Sequence, residues 1–371
     1  MKEQNTELQK SVSLPFTMTR NIKTMLNSLE KAGLDTSPIL RQIQPTDDEN
    51  KISFEELADP LGSEKHAITP HLIHQYKNRC LLLTTSSCFG YCRYCFRKNY
   101  TCHSQDFIQN DELEKICDYL RSHDEIQEIL FSGGDPMMIS DKKLSYLICR
   151  IRQSRPNILI RICTRSIFYA PERFASQTIK MLRSYKPLWI IPHINHFYEI
   201  DSTFAPKSVD TIEHILDSGI SMQSQTVLLR GVNDDVPVLS SLFEGLTKLG
   251  VKPGYLFQLD LAEGTSHFRV PIDDAVLLYE KLRKELSGLS LPTFAVDLPG
   301  GGGKFNLLEL SSGNRNCTVR KLTRYDNCDL YDNCDLMENK KSFYEFTRKG
   351  ENGIENGSEN GSEKYFYPRD L

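Results

Sequence analysis

Apolar residues in this chain follow two rhythms that alternate along most of its length. Short apolar runs at 81–85, 128–131, 159–163, 188–191, 223–229, 254–259 and 293–296 have the length and composition of buried strands. Between them, Leu113, Ile116, Cys117 and Leu120 recur at i, i+3, i+4 and i+7, the spacing of one helix face. Leu144, Leu147, Ile148 and Ile151 repeat that spacing, as do Leu239, Leu242, Phe243 and Leu246. Gly219 and Gly250 stand where helices are expected to end, each just before the next strand.

Strands alternating with helices at intervals of roughly 30 to 45 residues imply parallel βαβ units, hence an α/β fold. Periodicity alone leaves an open sheet and a curved barrel equally possible. Either architecture places chemistry at the C-terminal ends of the strands. Three zones follow from the pattern: a helical extension over 1–75, an α/β core over 76–305, and a polar extension over 306–371. In the first, Asp35, Thr36 and Ser37 offer helix-cap chemistry. In the last, YDNCDL at 325–330 repeats letter for letter at 331–336, and ENGIENGSENGSE at 351–363 is too polar to support a core.

The chain has 371 residues, of which 39% are apolar and 25% charged, an ordinary balance for a soluble globular protein. A net charge of −4 argues against a nucleic-acid coat, and no apolar run approaches the length of a membrane helix. The first twelve residues lack the apolar stretch of a signal peptide, so a cytoplasmic location is expected. In that compartment the eleven cysteines are expected as thiols, and a tight cluster of them reads as metal or redox chemistry.

That cluster is CFGYCRYC, Cys88 to Cys95, directly after the first strand of the core. Thiolates at Cys88, Cys92 and Cys95 can hold three corners of a 4Fe–4S cluster and leave one iron open. The competing reading is a structural zinc completed by Cys102 or His103. A second motif, SGGDP at 132–136, ends the next strand. Its paired glycines allow close approach to the backbone, and Asp135 or nearby carbonyls could accept hydrogen bonds from an ammonium group.

Taken with YKNRCLLLTTSSCFGYCRYCFRK, FSGGDPM, RICTR, PHINH, QTVLLRGVND, QLDLAEGTSHFRVP and PTFAVDLPGGGGK, these motifs resemble the radical SAM superfamily and, within it, the lysine 2,3-aminomutase family. The resemblance covers about residues 60–310. It implies a partial (β/α) barrel of about six parallel strands and an isomerase that converts L-lysine to β-lysine by a 2,3-amino shift. It also implies three cofactors. A 4Fe–4S cluster falls on Cys88, Cys92 and Cys95. S-adenosylmethionine (SAM) falls on Gly133, Gly134 and Asp135, with His193 and Gln225 as further lining. Pyridoxal phosphate falls on Lys304 of PGGGGK as the Schiff-base lysine, with Tyr76 and Arg79 at its phosphate.

The lysine assignment is physically sensible, because burial readily lowers a lysine pKa. The glycine-rich stretch is no Walker A loop, since Leu298 and Phe305 replace its first glycine and its Ser/Thr. Gln75 stands where the family commonly has a basic residue, which implies one charge fewer at the phosphate. For substrate, the matching residues are Arg97 at the carboxylate and the pair Asp260 and Asp297 at the ε-ammonium. An acidic pair would also suit arginine, and would repel glutamate.

Cys317, Cys328 and Cys334 are spaced unlike the family's structural zinc cluster, which leaves that zinc doubtful here. An electron donor such as flavodoxin or ferredoxin and a homo-oligomeric state are implied, and neither nucleic acid nor membrane. The family includes a branch serving elongation factor P, and the sequence does not separate that role from free β-lysine production. A related aminomutase acting on arginine or another amino acid, and a non-catalytic metal-binding paralogue, are the alternatives.

Overall fold

A computed structural model of the chain describes residues 13–101, 107–307, 317–322, 343–349 and 362–368. Ten strands form one sheet in chain order: β1 (Ala67–Thr69), β2 (Leu72–Tyr76), β3 (Arg79–Thr85), β4 (Glu128–Gly133), β5 (Leu159–Thr164), β6 (Leu188–Pro192), β7 (Ser221–Val227), β8 (Lys252–Phe257), β9 (Thr293–Leu298) and β10 (Gly303–Asn306). From β3 to β9 every neighbouring pair is parallel. These seven strands contain or overlap the seven apolar runs. β1 and β2 precede them as an antiparallel meander, and β10 turns back antiparallel on β9.

Each parallel crossover carries a helix: Asn110–Ser122, Asp141–Ser154, Ser176–Arg183, Pro206–Asp217, Val236–Lys248 and Ile272–Glu285. The helix faces read from the sequence, Leu113 to Leu120, Leu144 to Ile151 and Leu239 to Leu246, are buried in the main core. Each such side chain contributes about 1.5–3 kcal/mol by leaving water. Residues of β4 and β5 alternate. In β4, Ile129 and Phe131 face the helices and are fully buried, while Leu130 and Ser132 face inward on a cavity. In β5, Ile160 and Ile162 face the helices while Arg161 and Cys163 face inward. A barrel interior lined this way is a binding space and not a filled core.

The sheet curls until its two flanks meet. No ladder joins β2 to β10 among the described residues. Instead the Gln75 amide donates to the Gly301 carbonyl at 2.9 Å, and the Lys304 amide donates to the Tyr76 hydroxyl at 2.9 Å. The barrel is therefore partial by strand pairing, as the resemblance implies, and closed by these side chains together with the Gly300 amide donating to the Pro60 carbonyl at 2.9 Å.

The N-terminal extension is helical over Arg20–Lys31 and Ser37–Ile43. Ahead of the second helix, the Asp35 carboxylate accepts from the Ser37 amide and hydroxyl. Ile22, Met25, Leu26, Leu29, Ile39 and Ile43 pack on Phe168, Tyr169 and Ala205.

The polar extension over 306–371 also contributes structure. It supplies an antiparallel sheet of β11 (Cys317–Leu322), β12 (Phe343–Lys349) and β13 (Ser362–Pro368). Tyr367 of β13 is fully buried in the main core, and its hydroxyl donates to the Leu259 carbonyl. One aromatic residue late in a polar stretch gives no periodic signal, so composition misses it. The YDNCDL repeat, with Cys328 and Cys334, and the Cys317 side chain lie outside what is described. Among the described residues, no helix is long and apolar enough to cross a membrane.

Candidate active site

A cavity of about 460 Å³ fills the barrel interior, and every site residue expected from the sequence lines it. The cysteine loop follows β3, SGGDP closes β4, His193 follows β6, Asp260 follows β8, and Asp297 and Lys304 face each other across the β9–β10 hairpin. The strand-end rule accounts for most of this gathering.

At one end lie the thiols of Cys88, Cys92 and Cys95. Among the described residues, no three His, Cys, Asp or Glu side chains converge as ligands of a single ion would. A 4Fe–4S cluster takes one thiolate per iron, so its ligands face a shared space without converging on one point. The three thiols lining one cavity are a donor set that fits a cluster; Cys102 and His103, the candidates for completing a zinc site, lie outside the described residues. The Cys92 sulfur accepts from Arg165 Nη1 at 3.1 Å and lies 3.5 Å from the Tyr169 hydroxyl.

The glycines of SGGDP serve the cysteine loop. A Cβ at Gly133 would lie 2.5 Å from the Thr85 carbonyl, and one at Gly134 would lie 2.2 Å from that of Ser87. The two glycines let β4 press against the segment that launches CFGYCRYC. Of the acceptors expected for an ammonium group, Asp135 has its oxygens engaged within the chain. Its carboxylate already accepts from the Thr164 hydroxyl at 2.8 and 2.9 Å and from the amides of Arg165 and Met137, both at 2.9 Å. Burial nonetheless raises its pKa above the ordinary carboxylate value. The residue braces the end of β5.

His193 is pushed down to about 3, first by burial and then by the Arg165 charge, so its ring is neutral. Its Nε2 is buried without a protein partner. Gln225 pairs with it across the β6–β7 junction and also lines the cavity. His196 does neither; its Nδ1 accepts from the Tyr198 amide and caps a turn.

The same cavity carries the charges. Lys304 Nζ lies 3.0 and 3.2 Å from the two Asp297 oxygens and 4.8 Å from the centre of the Phe257 ring. Burial lowers its pKa, but Asp297, Tyr76 and Asp260 outweigh burial and hold it above the ordinary lysine value. This overturns the expected burial-lowered amine: the carboxylate opposite Lys304 in the hairpin keeps it protonated. Asp260 is pushed up to about 8 by burial and by Asp297, against Lys304 and Arg97. Arg97 shows the reverse imbalance. Burial lowers its pKa, its Nε has no partner, and its guanidinium packs on the Phe96 ring at 4.7 Å.

At the seam, the Arg79 guanidinium stacks on the Tyr76 ring at 3.8 Å beside Lys304. Gln75 is occupied by the Gly301 carbonyl, so the position that departs from the family's basic residue closes the barrel here. An imine to Lys304 with a phosphate near Arg79 and Tyr76 is compatible with this donor set.

Sequence reading missed the buried residues behind the thiols. Arg165 also donates to Tyr94, to Gln42 at 2.6 Å and to Glu199 at 3.0 Å. Asn195 donates to the Tyr94 hydroxyl and to Gln42. Arg165 ends RICTR at a strand end, the available signal; Gln42 and Glu199 offered none.

Residues 82–239 match the family model of the Radical SAM superfamily. The chain is 50% identical over 279 residues to a protein of Treponema pallidum (strain Nichols) provisionally named an L-lysine 2,3-aminomutase, covering 75% of this chain and 78% of that one. It is 36% identical over 309 residues to the L-lysine 2,3-aminomutase of Fusobacterium nucleatum subsp. nucleatum, covering 80% and 72%. It is also 32% identical over 264 residues to the glutamate 2,3-aminomutase of Clostridioides difficile (strain 630), covering 71% and 61%. The chain belongs to the 2,3-aminomutase family of the radical SAM superfamily.

Proposed function

We propose that this chain is an isomerase that converts L-lysine to β-lysine by a 2,3-amino shift. Its cofactors are a cluster on Cys88, Cys92 and Cys95, SAM beside it, and pyridoxal phosphate on Lys304. The observation that carries the substrate is the charge arrangement of one cavity. Arg97, with a buried Nε lacking a partner, suits a carboxylate; Asp260 and Asp297 suit a cation. A substrate carboxylate in place of that cation would meet the acidic pair and be repelled, which disfavours glutamate.

When bound, SAM at the cluster supplies a radical initiator, and pyridoxal phosphate supplies the carbonyl group that makes the amino nitrogen mobile. The protein's own residues bind, orient and manage protons. Arg97 fixes one end of the substrate and the acidic pair the other, so the carbons between them are held in register. Asp297 pairs with the Lys304 ammonium in the cofactor-free chain; with Lys304 bonded to the cofactor, that carboxylate would be released to receive the substrate's side-chain cation. His193, neutral and with Nε2 unpartnered, offers a hydrogen bond to SAM. Tyr76 and Arg79, stacked on each other beside Lys304, would hold the phosphate. Electrons come from a small reduced protein such as a flavodoxin or ferredoxin, and the enzyme works as a homo-oligomer.

The test is anaerobic incubation of reconstituted protein with SAM, reductant, pyridoxal phosphate and one of lysine, arginine, glutamate or alanine. Lysine should give its β-isomer fastest. Faster conversion of glutamate or alanine would refute the charge argument; faster conversion of arginine would retain it and change the substrate.

A further inference from the structure

Arg165 is a buried guanidinium, and its partners do not amount to an ordinary ion pair. Burial opposes its charge, but Glu199, Tyr94 and Cys92 more than compensate and keep it protonated. Glu199, whose side chain is fully buried, supplies the counter-charge at 3.0 Å. Phe168, Tyr169 and Tyr94 surround the guanidinium carbon at 5.3, 5.2 and 5.6 Å from their ring centres. Its Nη1 donates at 3.1 Å to the sulfur of Cys92, the middle thiol of CFGYCRYC.

The N-terminal extension fixes this geometry from behind. The Gln42 side chain accepts from Arg165 at 2.6 Å and donates to Glu199 at 3.1 Å, so it clamps both halves of the ion pair. The Gln42 carbonyl accepts from the amide of Arg93, the residue after Cys92, at 2.9 Å. The Arg93 side chain in turn donates to Glu49 at 2.8 Å and to the Leu14 carbonyl at 3.0 Å. One residue, Gln42, thus ties the cysteine loop and the arginine to a common support.

We propose that Arg165 sets how readily the cluster accepts an electron, by donating to the Cys92 thiolate, and that Gln42 of the N-terminal extension holds it in position. Reduction adds one electron from an external one-electron donor to the iron–sulfur core; no bond forms or breaks and no proton is taken up. The added negative charge spreads onto the thiolates, and a charged N–H donor to one of them stabilises the reduced state. A purely structural role would require the buried ion pair but no bond to sulfur. The proposal rests on the three cysteines holding a cluster.

The test uses full-length protein, reconstituted anaerobically with iron and sulfide and titrated potentiometrically without SAM, the reduced cluster being read by electron paramagnetic resonance. Arg165→Gln should lower the ratio of reduced to oxidised cluster at a fixed potential by on the order of tenfold, equivalent to about 59 mV for a one-electron couple. Arg165→Lys, which keeps the charge without the fork, should recover part of that loss. Should Arg165→Gln fail to fold, Gln42→Leu leaves the arginine in place and should move the potential the same way by less. A loaded cluster with unchanged potential in the loaded variant would overturn the proposal alone. Failure of the unmodified protein to take up iron and sulfide would overturn the cluster reading and this proposal with it.

Discussion

Replacing Asp297 by asparagine should change how lysine binding responds to pH, and not only how tight it is. Asp260 is pushed up to about 8, first by burial and next by the Asp297 charge. At pH 7 such a carboxyl is about nine-tenths protonated, so ionising it costs about 1.4 kcal/mol, a factor of roughly ten. An arriving ammonium prefers the ionised form, so binding lowers the Asp260 pKa and expels a proton. The sign follows from that linkage: affinity for lysine rises with pH, gains nearly tenfold above its pH 7 value, and levels off past about 8. In Asp297→Asn the second cause of the shift is gone. Asp260 then ionises at lower pH, the rise in affinity moves down with it, and fewer protons leave at pH 7. The ammonium also loses one of its two carboxylates, a charged hydrogen bond worth about 1.5–3 kcal/mol, so Kd should increase by about 10- to 100-fold. Isothermal titration of cofactor-loaded, unreduced protein in buffers of different ionisation heat counts the protons directly. L-Norleucine, which lacks the side-chain ammonium, should bind without the pH step. A lysine Kd that stays flat from about pH 6.5 to about pH 8.5, with no proton released in either protein, would refute the reasoning.

Alanine at Cys88, Cys92 or Cys95 should abolish iron loading and reductive SAM cleavage while the protein stays soluble; full cleavage by Cys92→Ala would sink the cluster assignment. Borohydride reduction of protein loaded with pyridoxal phosphate, followed by peptide mapping, should place the label on Lys304, and a label confined to Lys98 or Lys252 would contradict it. Arg97→Lys keeps the charge and loses the planar fork, so lysine and norleucine, which share a carboxylate, should both bind about 10- to 100-fold more weakly. Unchanged norleucine binding would remove Arg97 from the carboxylate site.

The seven parallel strands were legible because their apolar runs are long, periodic and separated by amphipathic helices. Residues such as Lys304 and Asp260 were legible because they stand in motifs at strand ends. What stayed hidden depends on partners that meet only in the fold. Asp297 stands only seven residues before Lys304, yet their pairing arises only when the glycine turn folds β10 back on β9. Asp135 looked free for a ligand because Thr164, nearly thirty residues on, is what occupies it. Gln42 and Tyr367 lie in segments with no motif, and their importance comes from what they touch.

The side-chain seam of the barrel gives the cofactor a mechanical meaning. Strands β3 to β9 hold one another by continuous ladders, whereas β2 and β10 are joined through Gln75 and Tyr76. Individual hydrogen bonds hold this flank where the rest of the wall has ladders, among them Gly300 N–H to the Pro60 carbonyl at 2.9 Å and Lys65 Nζ to the Gly300 carbonyl at 3.1 Å. Lys304 stands on one lip of the seam, and Tyr76 and Arg79 stand on the other. A pyridoxal phosphate bonded to the first and gripped at its phosphate by the second would span the gap like a cross-brace. Cofactor loading would then finish the architecture as well as equip it, because the barrel would gain its last rigid connection only when it gains its chemistry.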